Sequence, residues 1–289
     1  MPFEEVMGQA NRLLMRAQAL AALTARLRLD ELEVDGDPAV RAQLDRVVEA
    51  LGLQEDCAAL DTAERSVVVS FARTYLTQAL DLVEDPARRG AWTFDDPILL
   101  QAQGAASAVV ARLLAENGLV SPGARVLDVG TGVAGLAIAL CETFPDTTVV
   151  GVDPWEPALA LARENVVAAG LEDRVTLQAT PVEELDDPDG FDLAWVPSFF
   201  IREAALDAAA ARVLALLRPG GSIVVGAPFS SEDEPLGTAV DDLFTIRAGG
   251  SVVPAGDMIA RLERAGFSGA REVERSWDVP LRLVVAQRA

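Results

Sequence analysis

Val126-Leu127-Asp128-Val129-Gly130-Thr131-Gly132-Val133-Ala134-Gly135 decides the fold of this 289-residue chain. Val126–Val129 is a short apolar run broken only by Asp128, as expected of a strand buried on both faces. The glycines at 130, 132 and 135 follow at once. Glycine permits backbone angles closed to other residues and lets a chain approach a ligand with no Cβ in the way. Leu136–Leu140 then starts a helix. Strand, glycine turn and helix in that order open a βαβ unit.

Downstream the same rhythm repeats. Thr147–Val152 is a second strand, Glu156–Ala169 a helix stopped at Gly170, and Val175–Leu177 a third strand. Phe191–Val196 is a fourth, Ala204–Leu217 a helix ended by Arg218-Pro219-Gly220-Gly221, and Ser222–Gly226 a fifth strand. A helix over Asp257–Ala265 and a run at Leu281–Ala286 add at least one more strand. Apolar strands alternating with helices predict a doubly wound α/β fold on a mostly parallel sheet. The acidic stretches Glu183–Asp189 and Glu232–Glu234 read as solvated loops between elements.

Asp153 ends the second strand, 153 − 130 = 23 residues beyond the first glycine. An acid there accepts hydrogen bonds from both hydroxyls of a ribose, so the pattern implies an adenosine-containing ligand at the switch point of the sheet. Asp128 narrows the ligand further. A loop that holds a pyrophosphate should not carry a carboxylate two residues before its first glycine, because like charges would meet in a partly buried site. A ligand with an ammonium group and a sulfonium cation would welcome it.

Upstream, from Phe3 to about Gly118, the apolar spacing is helical and strand formers are few. Leu13, Leu14, Ala17, Leu20, Ala21 and Leu27 make a first stripe, and Pro38 suits the first turn of a second helix toward Leu51. Asp61 or Thr62 caps a third that runs through Phe71 and Tyr75 to Asp85-Pro86. Asp95-Asp96-Pro97 opens a fourth that ends at Asn117-Gly118. The expected division is therefore residues 1–118 as an all-helical region and 119–289 as the α/β domain.

Composition limits the partners. The chain carries 45 acidic residues against 24 basic ones, a net charge of −21, and every basic residue is an arginine. That balance argues against nucleic acid and anionic membranes, whose binding needs basic patches. Histidine is absent, which removes the usual general base and the usual zinc ligand; no metal site is expected. Cys57 and Cys141 read as small buried hydrophobes of a reducing compartment. The start, MPFEEVMG, lacks the basic lead of a signal peptide, and arginines interrupt every long apolar run. A cytoplasmic protein is expected.

DVGTGVAG followed by VVGVD resembles the class I S-adenosylmethionine-dependent methyltransferases of the small-molecule, natural-product type. GFDLAWVPSFF is similar to that family's fourth strand and substrate-side loop, LRPGGSIVV to its fifth strand, and the ending to its closing antiparallel hairpin. The resemblance implies a Rossmann-like seven-stranded domain that binds S-adenosylmethionine, with the helical region as lid and specificity element. Gly130, Thr131, Gly132 and Gly135 would line the cofactor, with Asp128 near its ammonium, Asp153 on the ribose, and Pro154 and Trp155 beside the adenine. The family often has an acid after the third strand for the adenine amino group. Ala179-Thr180-Pro181-Val182 has none, so Thr180 or backbone near Val182 would serve. Gln103 is a further cofactor candidate.

For the acceptor, Ser198, Phe199 and Phe200 would form one wall of a pocket and Trp92 and Phe94 would make lid contacts, with Arg202 and Arg247 as anchors for an acidic group. Each of these aromatics also reads as core packing, and the arginines as surface residues. Val196-Pro197-Ser198-Phe199 lacks the polar lead residue of enzymes that methylate nucleic-acid amino groups. The expected activity is methyl transfer to a small organic molecule in bacterial secondary metabolism, by alignment rather than by a histidine base. The catalytic residue and the acceptor atom are left open, and a homodimer is possible. A nicotinamide-dependent oxidoreductase and a binding or scaffold protein of the same fold are the alternatives.

Overall fold

The computed structural model describes residues 2–228, 234–277, 279 and 281–289. Glu232 and Asp233, in the second acidic stretch, lie outside them. Two compact units emerge, Met1–Pro86 and Ala87–Ala289.

The first unit is helical: α1 (Pro2–Glu31), α2 (Pro38–Ala50), α3 (Gln54–Ala59) and α4 (Thr62–Glu84). Its starts are written locally. Asp37 accepts from the amides of Ala39 and Val40 ahead of Pro38, and Asp61 forms a reciprocal capping box with Glu64. Leu27, Val48, Val69 and Ala72 are buried, and Arg41 pairs with Asp30 at 3.3 Å. α3 is a six-residue helix that apolar spacing did not predict, being too short to show a period.

The second unit opens with α5 (Pro97–Glu116), then β1 (Arg125–Val129), α6 (Gly135–Thr143), β2 (Thr148–Val152), α7 (Glu156–Ala168), β3 (Val175–Gln178) and β4 (Phe191–Pro197). It continues with α8 (Glu203–Leu216), β5 (Leu217–Pro228), α9 (Pro235–Arg247), α10 (Ala255–Ala265), β6 (Ser268–Glu272) and β7 (Leu281–Gln287). α5, which its pattern grouped with the N-terminal helices, therefore belongs with the sheet. It buries Leu99, Leu100, Val110, Ala111, Leu113 and Leu114. By length and composition α5 is apolar enough to cross a membrane. Here its apolar face goes into the domain core.

Among the described residues the sheet has seven strands in the order β3-β2-β1-β4-β5-β7-β6. β1 to β5 pair in parallel, whereas β7 runs antiparallel to both β5 and β6. The sheet is thus mixed, and the departure from parallel is confined to β7. Two cores cover it. One holds Leu136, Leu140, Leu159 and Val224, the other Leu127, Phe191, Val213 and Leu262, as expected for helices on both faces. The strand order reverses between β1 and β4, which opens a crevice at the carboxyl ends of the strands. α9 has no counterpart in the pattern reading.

Candidate functional site

The glycine loop leaves β1 along a path that only small residues follow easily. Gly130 (φ +68°) and Gly132 (φ +56°) are left-handed. The amides of Gly130 and Thr131 both donate to the carbonyl of Val152, at 2.8 and 3.1 Å, which folds the loop over the end of β2. A Cβ built on Gly132 would meet no protein atom within 4 Å, so the space in front of this residue belongs to the crevice. Ala134 also takes φ +66°.

Asp153 accepts from the amide of Gly132 at 2.9 Å through Oδ2 and from that of Trp155 at 2.8 Å through Oδ1. It ties the glycine loop to the start of α7. Burial pushes its carboxyl upward, against the pull of those two amides. Asp128 lies deeper, 2% exposed, and accepts from the Thr131 hydroxyl at 2.7 Å. Burial first, then the nearby Asp153 charge, raises its pKa from 3.8 to about 7, opposed by the Thr131 hydrogen bond.

A cavity of about 440 Å³ opens in this crevice, within the ~300–1,000 Å³ typical of ligand sites. Its wall carries Gly130, Thr131, Gly132, Asp153, Pro154 and Trp155, with Gln103, Thr180 and Val182. Trp92, Phe200 and Arg202 line it as well. These are predicted residues, brought together from distant segments. Other predicted residues do not line it. Gly135 serves packing, since a Cβ there would fall 2.0 Å from the Gly104 carbonyl of α5. Ser198 is fully buried and donates to the Gly226 carbonyl at 2.9 Å.

Phe94 and Phe199 stand behind the wall. The Trp92 ring meets those of Phe94 and Phe200 edge-on, with centroids 5.5 and 5.7 Å apart, and Phe199 lies 4.9 Å from Phe200. The indole nitrogens of Trp92 and Trp155 both donate to the Phe94 carbonyl, at 3.1 and 3.0 Å. Arg247 is buried and donates to the carbonyl of Arg88 at 3.0 Å, which fixes the strap of residues 88–92 instead of facing the cavity. Asp128 lies beneath the loop.

The pattern reading missed wall residues too. Glu183, assigned to a solvated acidic loop, lines the cavity next to Val182, as do Gly90, Ala91 and Gly249. An acid three residues past Thr180 was visible in the sequence. That it turns inward follows from the short 3₁₀ turn Val182–Glu184.

Residues 126–221 match a methyltransferase domain family. The ubiquinone/menaquinone biosynthesis C-methyltransferase of Geobacter sulfurreducens is 35% identical over 108 residues, 36% of this chain and 42% of that protein. The chain thus spans less than half the length of that curated relative. The methyltransferase GfsG of Streptomyces halstedii is 29% identical over 215 residues, covering 71% of this chain and 76% of that one. In fold, the chain is similar to the mitomycin 7-O-methyltransferase MmcR, with TM-score 0.71 and 19% identity over 100% of this chain and 99% of the other. The glycine loop and the acid at the end of β2 thus lie on one crevice, inside the segment that matches the methyltransferase domain family.

Proposed function

We propose that this chain transfers a methyl group from S-adenosylmethionine to a small organic acceptor. The observation that carries this reading is the single cavity wall shared by the glycine loop, Asp153 and an aromatic patch. Bound S-adenosylmethionine supplies a methyl group on a sulfonium that is its own leaving group. Gly132 leaves the approach open, Asp153 offers its remaining lone pairs to ribose hydroxyls, and Trp155 flanks the base. Glu183 and Thr180 offer acceptors on the cavity side where an adenine amino group would lie. Trp92 and Phe200 exclude water from the acceptor side.

Methyl transfer is in-line, so alignment is the protein's main contribution, on the order of 7–11 kcal/mol for well-oriented partners. The carboxylates on the wall, Asp153 and Glu183, belong to the cofactor side of this reading. The acceptor is then one that reaches the site ionised or needs no proton removed. C- and O-methyltransferases both stand among the similar proteins, and the likeness to a mitomycin-methylating enzyme supports a natural-product acceptor. The test is calorimetry with S-adenosylhomocysteine. Asp153→Ala is expected to weaken binding by roughly 1–3 kcal/mol, and unchanged affinity removes Asp153 from the ribose.

A homodimer is part of the same reading. Phe3, Val6, Leu13 and Leu20 of α1 are 71, 65, 59 and 38% exposed and follow coiled-coil spacing, a stripe that a second copy would cover. Light scattering that gives the monomer mass across the working concentration range overturns this part.

A further inference from the structure

We infer that Arg202 selects the acceptor by its charge, and that the acceptor is a small aromatic compound bearing a carboxylate. This rests on the methyl-transfer reading and deepens it.

Arg202 sits on the cavity wall two residues after Phe200, where the chain enters α8. Its neighbour Glu203 turns to Arg261, at 3.5 Å, and α8 receives no side-chain cap from Arg202. Unlike Arg125 and Arg218 at the starts of β1 and β5, which hold Asp187 at 2.7 Å and Asp192 at 2.8 Å, Arg202 has no ion pair or side-chain hydrogen bond among the described residues. Arg247, the other anchor expected from sequence, is committed to the Arg88 carbonyl. In a chain with 45 acids and 24 arginines, a guanidinium left unpaired on a cavity wall is a binding group in search of an anion. Its planar fork matches a carboxylate in two parallel hydrogen bonds.

The rest of the acceptor follows from what stands beside it. Trp92 and Phe200 present edge-to-face rings to the same cavity, a surface suited to a flat ring. The cavity of about 440 Å³ is shared with the cofactor, which limits the acceptor to a small acid. Since the net charge of −21 repels anions at long range, the attraction comes from Arg202 at contact.

The experiment measures binding by calorimetry to protein saturated with S-adenosylhomocysteine. Small hydroxy- and aminobenzoates are compared, each with its uncharged benzamide. The wild type is expected to bind at least one acid tenfold or more tighter than its amide. R202Q should erase that preference and leave S-adenosylhomocysteine affinity within twofold, and R202K, which keeps the charge without the fork, should restore part of it. No acid preferred over its amide overturns the proposal. So does a tenfold loss of S-adenosylhomocysteine affinity in R202Q, which would assign Arg202 to the carboxylate of the cofactor. A wild type that does not bind S-adenosylhomocysteine overturns the methyl-transfer reading itself, and this proposal with it. Arg202 is exposed and caps nothing, so both variants are expected to fold.

Discussion

Two parts of the cavity wall are built by different means. The part with the glycine loop takes residues 129–133 and 152–155 from two strand ends, and is fixed by hydrogen bonds from the amides of Gly130, Thr131 and Gly132. The part with Trp92, Phe200 and Arg202 draws on segments more than 100 residues apart and is fixed by close packing of a strap. There the amide of Ala91 donates to the Arg247 carbonyl at 3.1 Å, and a Cβ on Gly90 would fall 2.2 Å from the Ile246 carbonyl. Hydrogen bonding within one βαβ unit makes the first part a local property of sequence. The second exists only once the whole domain is folded, and so has more freedom to vary with the acceptor.

Asp128 gives the largest effect and tests the first part. Its folded pKa of about 7 stands above its ordinary 3.8. The native state therefore holds a proton that the unfolded chain has released between those values. The stability this contributes is present below pH 3.8 and is lost as pH rises toward 7. Asp128→Asn removes the penalty while keeping an acceptor for Thr131. Urea unfolding should find the variant close to wild type at pH 4. At pH 8 it should be the more stable, by up to about 4 kcal/mol at 1.36 kcal/mol per pKa unit. A constant difference across that range would mean that Asp128 is charged in the native state.

Gly132→Val separates binding from folding. The new side chain has free space but a left-handed backbone, at roughly 1–2 kcal/mol, and it projects where a ligand must sit. Affinity for S-adenosylhomocysteine should fall at least 100-fold, about 3 kcal/mol, with the thermal transition still cooperative. Gly250→Ala is the converse on the second part. Its Cβ would lie 1.8 Å from the Phe199 carbonyl, so the aromatic wall must shift, at about 1–3 kcal/mol of stability. Melting should drop, while S-adenosylhomocysteine affinity stays within about twofold. If Gly250→Ala instead abolished cofactor binding, the two parts would not be separable.

That contrast also explains what the sequence made legible. The helix starts at Pro38, at Asp61-Thr62 and at Asp95-Asp96-Pro97, the turn after β1 and the acid at the end of β2 are each encoded within a few residues, and the structure has them where the pattern put them. The five parallel strands follow from apolar runs between glycine turns. α9 was missed because its apolar residues Leu236, Val240, Leu243 and Ile246 stay largely exposed beside Gly237, Asp241 and Asp242, a mixture that reads as loop. Glu183 was misread because an acid in an acidic stretch carries no sign of which way it faces. Arg202 and Arg247 are alike in sequence. Their difference, one on the cavity and one buried against Arg88, is a matter of tertiary packing.

Ala134 supplies the smallest effect and the sharpest check on how the glycine loop is held. It is a fully buried, non-glycine residue at φ +66°, a conformation that costs about 1–2 kcal/mol with a Cβ present. Its amide donates to the Thr131 carbonyl at 2.9 Å and its carbonyl accepts from Ile138 at 2.9 Å, so the helix start that follows imposes the angle. Ala134→Gly relieves the strain. The same change frees the unfolded chain by about 0.4–1 kcal/mol and gives up a buried methyl worth about 0.8 kcal/mol. These terms nearly cancel, so denaturant midpoints should agree within about 0.5 kcal/mol and S-adenosylhomocysteine affinity should not change. A loss of 2 kcal/mol or more would show that the methyl group, and not the hydrogen-bonded path of the backbone, keeps the loop in place.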